Sequence, residues 1–326
     1  MTALLSVEDL RVRFRETDGV LVRALNGVHF NLEEGEVLGV LGESGSGKST
    51  VAKSVMRLLA RNAEIAGGTV KFAGKNLLQL SEKQMNRVRG AGIAMISQEP
   101  GLALNPVMKV GDQIAEVLRA HYRRSARQCR SEAGSILERV LPDNGMRKMY
   151  DAYPHQLSGG QQQRVVIGQA IACKPSIIIA DEPTASLDAA TEADILNLFR
   201  ELRAERKMSL LLITHSPDIL RDLAERVCVM YAGRIVEEAA TNQLFANPRH
   251  PYAQGLLACL PADNTSRARG HRLPSIIGAP PDPRKLQSGC TFSPRCIERM
   301  DKCESVSPVE FATGIDRRVA CFLYDR

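Results

Sequence analysis

The sequence predicts an α/β protein with a parallel β-sheet at its core. Continuous apolar runs within Val37–Leu41, Ser176–Asp181 and Ser209–Thr214 indicate buried strands, because parallel strands are usually covered on both faces. An amphipathic helical pattern over Thr191–Arg206 separates the last two runs, and strands that alternate with helices are typical of a parallel sheet. A glycine-rich segment follows the first run directly, which predicts a strand–loop–helix unit.

Shorter patterns predict the remaining elements. Alternation of apolar and polar residues near the N-terminus favours half-exposed antiparallel strands. These strands are Leu10–Phe14, Leu21–Leu25 and Val28–Leu32, and further strands are expected over Gly67–Gly74 and Gly92–Ser97. From Val110 to about Val140 the pattern is helical and strongly charged. The basic run of this segment is expected to be a solvated face; it consists of Arg123, Arg124, Arg127 and Arg130.

The glycine-rich segment has the features of a phosphate-binding loop. Its glycines allow backbone N–H groups to approach phosphate oxygens closely, and the helix that follows adds its positive N-terminal end. Lys48 can reach the outer phosphates, and the Ser49 hydroxyl suits a magnesium ligand. The residues expected to bind ATP are Gly42, Glu43, Ser44, Gly45, Ser46, Gly47, Lys48, Ser49 and Thr50.

Composition sets the class of protein. The 326 residues are 44% hydrophobic and 25% charged, as in ordinary globular proteins, and the net charge of +6 is too small to indicate nucleic acid as a partner. No stretch reaches the ~18 consecutive apolar residues of a membrane-spanning helix, and the N-terminus lacks the pattern of a secretory signal. We expect a cytoplasmic location, with any link to a membrane made through a partner.

Five further motifs follow the glycine-rich segment in the chain. Leu-Ser-Gly-Gly-Gln is the most specific of them, and it stands at a helix start. The motifs are, in chain order, Gln98 at a strand end, Leu157–Gln161, the strand-end carboxylates Asp181 and Glu182, Asp188, and His215 after Thr214. In this order and spacing they resemble the nucleotide-binding subunit of an ABC transporter, over roughly residues 4–262.

This resemblance implies roles for the matching residues. Residues 42–49 resemble the Walker A loop. Glu182 resembles the catalytic base, His215 the switch histidine and Gln98 the Q-loop glutamine. Magnesium ligands are implied at Ser49, Gln98 and Asp181. One position departs from the family: Ser216 follows the switch histidine, where Asp is usual, which puts a local contact in doubt.

The resemblance also implies a second set of ATP contacts, made to the nucleotide of an opposite subunit in a head-to-tail dimer. These residues are Leu157, Ser158, Gly159, Gly160 and Gln161 of the signature, with Asp188 of the D-loop. Phosphate binding by the signature agrees with its place at a helix N-terminus. Phe14 is a candidate to stack on adenine, although it could equally be a core residue.

A finer resemblance points to the oligopeptide, dipeptide and nickel importers, and within them to the dipeptide-type D subunit. It rests on Arg249–Leu257, Gln98–Pro100, Leu104–Pro106 and Tyr153–Leu157. The implied fold is a P-loop ABC ATPase: a RecA-like parallel sheet core with an antiparallel β subdomain and a helical insertion. The implied domains are an ATPase of residues 1–262, with a helical subdomain at about 100–165, and a cysteine-bearing C-terminal domain of residues 263–326. A Pro/Gly-rich linker is expected over Pro261–Arg284.

The implied function is ATP-driven uptake of di- or oligopeptides, from the cytoplasmic face of the cell membrane. The implied partners are a homologous ATPase subunit in a heterodimer, two integral membrane permease subunits and an extracytoplasmic substrate-binding protein. The same machinery could carry nickel chelates or other small solutes. A soluble ABC ATPase of translation or DNA repair is a second hypothesis, and a regulatory module without turnover is a third; the intact Lys48, Asp181, Glu182 and His215 argue against the third.

Four of the eight cysteines cluster near the C-terminus, at Cys290, Cys296, Cys303 and Cys321. A reducing compartment disfavours disulfides. Four thiolates can close a tetrahedral zinc site or hold an iron–sulfur cluster, and the spacing does not choose between them. The resemblance implies a four-iron four-sulfur (4Fe-4S) cluster, with Zn²⁺ as the alternative. Nearby Arg295, Arg299 and Lys302 are expected to offset the thiolate charge.

Overall fold

The computed structural model describes residues 3–141, 149–185, 187–258, 276–285 and 288–325. The strands are β1 (Leu5–Arg15), β2 (Leu21–Leu32), β3 (Val37–Leu41), β4 (Ala63–Phe72), β5 (Lys75–Asn76), β6 (Ile93–Ile96), β7 (Ile177–Asp181), β8 (Ser209–Thr214), β9 (Arg226–Tyr231), β10 (Arg234–Ala240), β11 (Phe311–Gly314) and β12 (Arg317–Val319). The helices are α1 (Lys48–Val55), α2 (Glu82–Val88), α3 (Pro100–Ala103), α4 (Val110–His121), α5 (Ala126–Val140), α6 (Gly159–Ile171), α7 (Ala189–Arg206), α8 (Pro217–Leu223), α9 (Thr241–Ala246), α10 (Pro251–Ala258) and α11 (Lys302–Ser305).

The chain forms two compact units. The first comprises Met1–Leu32, Val37–Leu78 and Ile213–Arg326, and the second comprises Glu33–Glu36 and Gln79–Leu212. In the part of the chain that the structure describes, no helix is both long enough and apolar enough to cross a membrane.

An antiparallel sheet in the first unit has the strand order β2–β1–β4–β5. Two runs that the sequence predicts as separate strands, Leu21–Leu25 and Val28–Leu32, are one continuous strand, β2. The reason is a bulge: Leu10 pairs with Val28 while Arg11 pairs with Asn26, so Gly27 is an extra residue. Its φ of +91° is open to glycine, and the bulge lets the chain bend without leaving the sheet.

The remaining strands of the first unit run in the order β11–β12–β10–β9–β3. Strand β3 is parallel to β9, as the apolar run predicts, and every residue of β3 is buried. The pairs β9–β10, β10–β12 and β11–β12 are antiparallel. The Walker A loop follows β3 and leads into α1, so the predicted strand–loop–helix unit is confirmed.

The C-terminal tail belongs to the first compact unit. Its hairpin of β11 and β12 joins β10, where Glu237 lies opposite Val319. Glu237 is fully buried and accepts hydrogen bonds from the N–H groups of Arg249 and His250 and from Arg317 Nη2, the last at 2.6 Å. A separate C-terminal domain is therefore not supported, because so short a tail extends an existing sheet instead of building its own core. The predicted boundary at 262 and residues 261–275 of the linker lie outside the described residues.

In the second unit, β6 and β7 are parallel, with Ile93 opposite Ile177 and Ile96 opposite Ala180. The predicted helical segment forms α4 and α5, and α5 begins with a capping box in which Ser125 and Gln128 bond to each other's backbone N–H groups. The basic run is solvated as predicted, since all four of its arginines are exposed.

Candidate nucleotide site and cysteine cavity

Backbone packing fixes the shape of the Walker A loop. A Cβ at Gly42 would lie 2.3 Å from the Met230 carbonyl oxygen, and one at Gly47 would lie 2.8 Å from that of Ala24. Gly47 also has a φ of +105°, which other residues rarely adopt. These two positions therefore require glycine, and the loop rests on the backbone beneath it while Ser44 and Gly45 are exposed at its tip.

Lys48 lies across the same loop. Its ammonium donates to the carbonyl oxygens of Gly42 and Glu43, at 2.7 and 3.0 Å, and the residue is only 6% exposed. Ser46 is also buried, and its hydroxyl has no protein partner among the described residues. An ammonium, a buried hydroxyl and a helix N-terminus form a donor set that suits the phosphates of a nucleotide.

In the second unit, Asp181 ends the fully buried strand β7 and Glu182 follows it. The two residues are 4% and 9% exposed. Glu182 has a φ of +51°, a left-handed conformation that is costly for a residue with a Cβ. Such backbone strain concentrates at functional sites, where the surrounding structure enforces it. Gln98 is exposed, two residues beyond Ile96, and the β6–β7 register brings it to the same edge of the sheet as the two carboxylates.

His215 follows the last residue of β8 and is exposed. His215 is therefore not a buried core histidine. Phe14 is half-buried in β1, where its cross-strand neighbours are Val22 and Ala63. Nothing in this register assigns Phe14 to adenine, and that role stays a prediction.

The signature begins α6 with a capping box. Ser158 is the N-cap residue: its hydroxyl accepts a hydrogen bond from the Gln161 N–H, and the Gln161 side chain accepts one from the Ser158 N–H at 3.0 Å. The turn is thus formed by residues of this chain alone, and the Ser158 hydroxyl proton remains able to donate to an anion.

A contact that the sequence does not predict joins the signature to the D-loop residue. The Thr191 hydroxyl donates to the Asp188 carboxylate at 2.7 Å. A Cβ on Gly160 would lie only 2.4 Å from the Thr191 methyl group, so the two residues are in close contact. Hydrogen bonds from the backbone and hydroxyl of Thr191 lower the pKa of Asp188. The Asp188 carboxylate also caps α7 through the Ala190 and Thr191 N–H groups. Thr191 therefore holds the two motifs together.

The four clustered cysteines line one narrow cavity in the first unit, together with His250 and Phe292. No three His, Cys, Asp or Glu side chains of the described residues are close enough to bind a single metal ion. Burial raises the pKa of Cys290, Cys296 and Cys321, the last to about 11, and the neighbouring thiols add to the shift. The four thiols therefore share one cavity with apolar and polar neighbours.

Comparison with known proteins identifies the family. Residues 25–185 match the ABC transporter family, and residues 236–303 match the C-terminal region of oligopeptide/dipeptide transporters. The chain is 42% identical to the dipeptide transport ATP-binding protein DppD of Bacillus subtilis, over 100% of this chain and 96% of that protein. It is 43% identical to the oligopeptide transport ATP-binding protein OppD of Escherichia coli, over 98% and 93%. The chain belongs to this family of ABC transporter ATP-binding proteins.

Solved structures agree with the ABC ATPase fold. The dimeric ATP-binding cassette MJ0796, in a post-hydrolysis state bound to ADP and Pi, has a TM-score of 0.65 at 28% identity, covering 73% of this chain and 98% of that one. The cassette cbiO1 of Clostridium perfringens has a TM-score of 0.63 at 28% identity, covering 76% and 92%. The predicted P-loop ABC ATPase fold and ATP-hydrolysing activity are therefore confirmed, whereas the individual residue roles stay predictions.

The basic residues of the cysteine segment form ion pairs with carboxylates. Arg295 pairs with Glu43 of the Walker A loop, Arg299 with Glu304, and Lys302 with Asp325. Each of the three therefore has a carboxylate partner, and their effect on the thiolate charge stays a prediction. The sequence contains no signal for the Arg295–Glu43 pair, since the two residues are separated by 252 positions.

Proposed function

We propose that this ABC ATPase drives the uptake of di- or oligopeptides from the cytoplasmic face of the cell membrane. The observation that carries the proposal is its likeness to two peptide transport ATP-binding proteins over nearly the whole chain. The likeness includes the C-terminal region, which lies beyond the nucleotide-binding motifs that other ABC ATPases share.

We assign the ATP phosphates to the Walker A loop. The glycines permit close approach of the backbone, and the Lys48 ammonium is already held at the loop, so little rearrangement is needed for it to bond an outer phosphate. The buried Ser46 hydroxyl adds a donor that has no protein partner among the described residues. These residues bind and orient the triphosphate; they do not themselves take part in bond making.

We assign magnesium to the oxygen atoms of Ser49, Asp181 and Gln98, because Mg²⁺ prefers hard oxygen ligands. When bound, magnesium neutralises charge on the phosphates. Glu182 orients the attacking water and accepts its proton, as expected of a carboxylate next to the magnesium ligand. The buried strand before Glu182 fixes its backbone, which keeps the carboxylate aimed. His215 donates a hydrogen bond to the terminal phosphate.

The signature and the D-loop would act on the nucleotide of a homologous subunit, in a head-to-tail heterodimer. A prearranged helix start with a hydroxyl at its N-cap, as at Ser158, is suited to an anion that arrives from outside. Two permease subunits in the membrane and an extracytoplasmic substrate-binding protein would complete the importer. No nucleic acid is proposed as a partner.

We further propose that the cysteine cavity holds a 4Fe-4S cluster. Four thiols around one space supply the donor set of such a cluster. Zinc, which four thiolates can also bind tetrahedrally, is the alternative. The cluster would have a structural or regulatory role, because ATP hydrolysis requires no electron transfer.

Uptake of labelled peptides by cells that lack this chain tests the proposed function. Uptake should be restored by the wild-type chain but not by Glu182→Gln, whereas Glu201→Gln, an exposed carboxylate on α7, should restore it as a matched control. Uptake of nickel chelates, measured in parallel, distinguishes peptides from nickel chelates as the cargo. Restored nickel uptake without peptide uptake would overturn the proposal, and absence of the chain from the membrane fraction would favour a soluble ABC ATPase.

A further inference from the structure

The Walker A loop is joined to the cysteine segment by a partly buried ion pair. Nη1 and Nη2 of Arg295 donate to the two carboxylate oxygens of Glu43, at 2.8 and 3.1 Å. The Arg295 side chain is 5% exposed and that of Glu43 is 26% exposed, so solvent screens this pair weakly. Two parallel hydrogen bonds between planar groups fix orientation as well as distance.

Arg295 is itself anchored in the first unit. Its Nε donates to the Ile277 carbonyl oxygen at 3.2 Å, and Nη1 lies 3.4 Å from the Tyr231 hydroxyl at the end of β9. Phe292 packs edge-on against Tyr231 and Tyr252, with ring centres 5.2 and 5.5 Å apart. The segment between Cys290 and Cys296 therefore packs against Tyr231 and Tyr252 and is also hydrogen-bonded to the Walker A loop.

Glu43 is held at three points, and one of them leads to the phosphate-binding lysine. Its carboxylate is bound by Arg295, its N–H donates to the Tyr252 hydroxyl at 2.9 Å, and its carbonyl oxygen accepts from Lys48 Nζ at 3.0 Å. A movement of Arg295 would thus be passed to the carbonyl that positions Lys48. It would also leave the charge of Glu43 uncompensated beside a site for anionic phosphates, which would repel ATP.

We propose that Arg295 is a positioning residue for ATP binding, which holds Glu43 and through it the Walker A loop, so that the arrangement of the cysteine segment sets the affinity for ATP. This proposal rests on ATP binding by the loop and not on the cargo.

The affinity of the full-length chain for a fluorescent ATP analogue tests the proposal. Arg295→Met should weaken binding roughly tenfold, within the range of coupling energies between linked sites. Arg295→Lys keeps the positive charge but cannot form the two parallel hydrogen bonds, so the loss of ATP affinity should be smaller than in Arg295→Met. Arg299→Met is the matched control, because Arg299 lies in the same segment but is half exposed and pairs with Glu304 at 3.5 Å; its affinity should equal that of the wild type.

Charge compensation distinguishes positioning from general damage. Glu43→Gln combined with Arg295→Met removes both charges, so the double variant should bind ATP more tightly than Arg295→Met alone. In the assembled ATPase, Arg295→Met should raise KM more than it lowers kcat. A double variant no better than the single one, or an unchanged affinity in Arg295→Met, would overturn the proposal. Should Arg295→Met fail to fold, Arg295→Lys and Glu43→Gln carry the same comparison.

Coupling must also act in the reverse direction, because linkage between two sites is reciprocal. ATP should slow amide hydrogen exchange over residues 288–296 of the wild-type chain, and this protection should be lost in Arg295→Met. Equal protection in both would mean that the ion pair does not transmit the effect. A chain that passes these tests but fails to restore peptide uptake would refute the proposed cargo and leave the role of Arg295 intact.

Discussion

Gly160 of the signature packs directly against Thr191, with 2.4 Å between the place of a Cβ on Gly160 and the Thr191 Cγ2 methyl. The same threonine donates to Asp188 at 2.7 Å. The glycine is therefore required by a neighbour in the second unit, whatever else its backbone does for a nucleotide. The two motifs that we propose to act on the partner's ATP therefore both contact the side chain of Thr191.

Gly160→Ala should lower ATPase activity of the assembled transporter by about 10²-fold, because relief of the clash with Thr191 requires α6 to move by about 1 Å, which misplaces the signature. Affinity of the isolated chain for ATP should stay nearly unchanged, since we propose that the signature acts on the nucleotide of the opposite subunit. Thr191→Ser removes the methyl and keeps the hydroxyl bond to Asp188, so Gly160→Ala with Thr191→Ser should recover part of the activity. Thr191→Ser alone is the control. A large loss of ATP affinity in the isolated Gly160→Ala chain would mean that the signature acts in cis.

Glu182→Gln should retain ATP binding and lose at least about 10²-fold in turnover, in line with removal of a general base. The variant should also accumulate as an ATP-bound dimer. Turnover and size-exclusion chromatography with ATP measure both effects. Hydrolysis near the wild-type rate would remove Glu182 from the role of base.

His250 should make the protein less stable in acid. Burial lowers its pKa from an ordinary value near 6.5 to about 3, and its Nδ1 accepts from the Tyr252 N–H. Below about pH 6.5 the unfolded chain takes up a proton that the folded chain refuses, so stability falls as the pH decreases from about 6.5 toward 3. His250→Asn keeps an acceptor for that N–H, and should remove roughly 1–2 kcal/mol of the stability change between about pH 7.5 and pH 5.

His29 supplies a control of opposite sign. Its hydrogen bond to Glu310, at 2.7 Å, raises its pKa. The stability that this pair contributes is fully present below the ordinary histidine pKa and is lost as the pH rises through the raised value. Urea denaturation of His29→Asn should therefore show a loss confined to lower pH. Parallel pH profiles for the wild type and His250→Asn would contradict the role given to His250.

Anaerobically purified protein should be brown, with a broad absorption shoulder near ~400 nm and roughly four irons per chain, as expected for a cluster held by four thiolates. Cys303→Ser should bleach it. Cys173→Ser is the matched control, because this buried thiol of the second unit donates to the Val117 carbonyl oxygen and serine can do the same. Colourless protein with one equivalent of zinc would exclude the cluster. Loss of the cluster should weaken ATP binding if Arg295 moves with its segment.

Local sequence was enough to predict the elements whose signals are contiguous. The Walker A loop, the buried strand before Asp181 and the start of α6 all depend on residues that are neighbours in the chain. The single strand β2 was missed because alternation does not reveal that Gly27 is an inserted residue. The tail hairpin was missed because β11 and β12 are too short to show a period.

Contacts between residues that are distant in the chain could not be predicted from local sequence patterns. The bond between Arg295 and Glu43 depends on the fold bringing together two charges whose local sequences suggest other partners. The role of Thr191 is similar, because a threonine in the first turn of a helix is unremarkable until Gly160 is placed against it. Both contacts matter for the candidate site, and both are defined by packing.

The pairing of β12 with β10 also protects the protein from self-association. A sheet that ended at β10 would present unpaired backbone N–H and carbonyl groups, which are a template for pairing with other chains. It would also leave Glu237 buried without Arg317. The tail instead adds the two short strands β11 and β12 outside β10, and the half-buried Arg318 donates to Glu238. Shortening the chain before residue 317 would therefore remove β12 and leave the longer strand β10 as an unpaired edge, which would favour self-association.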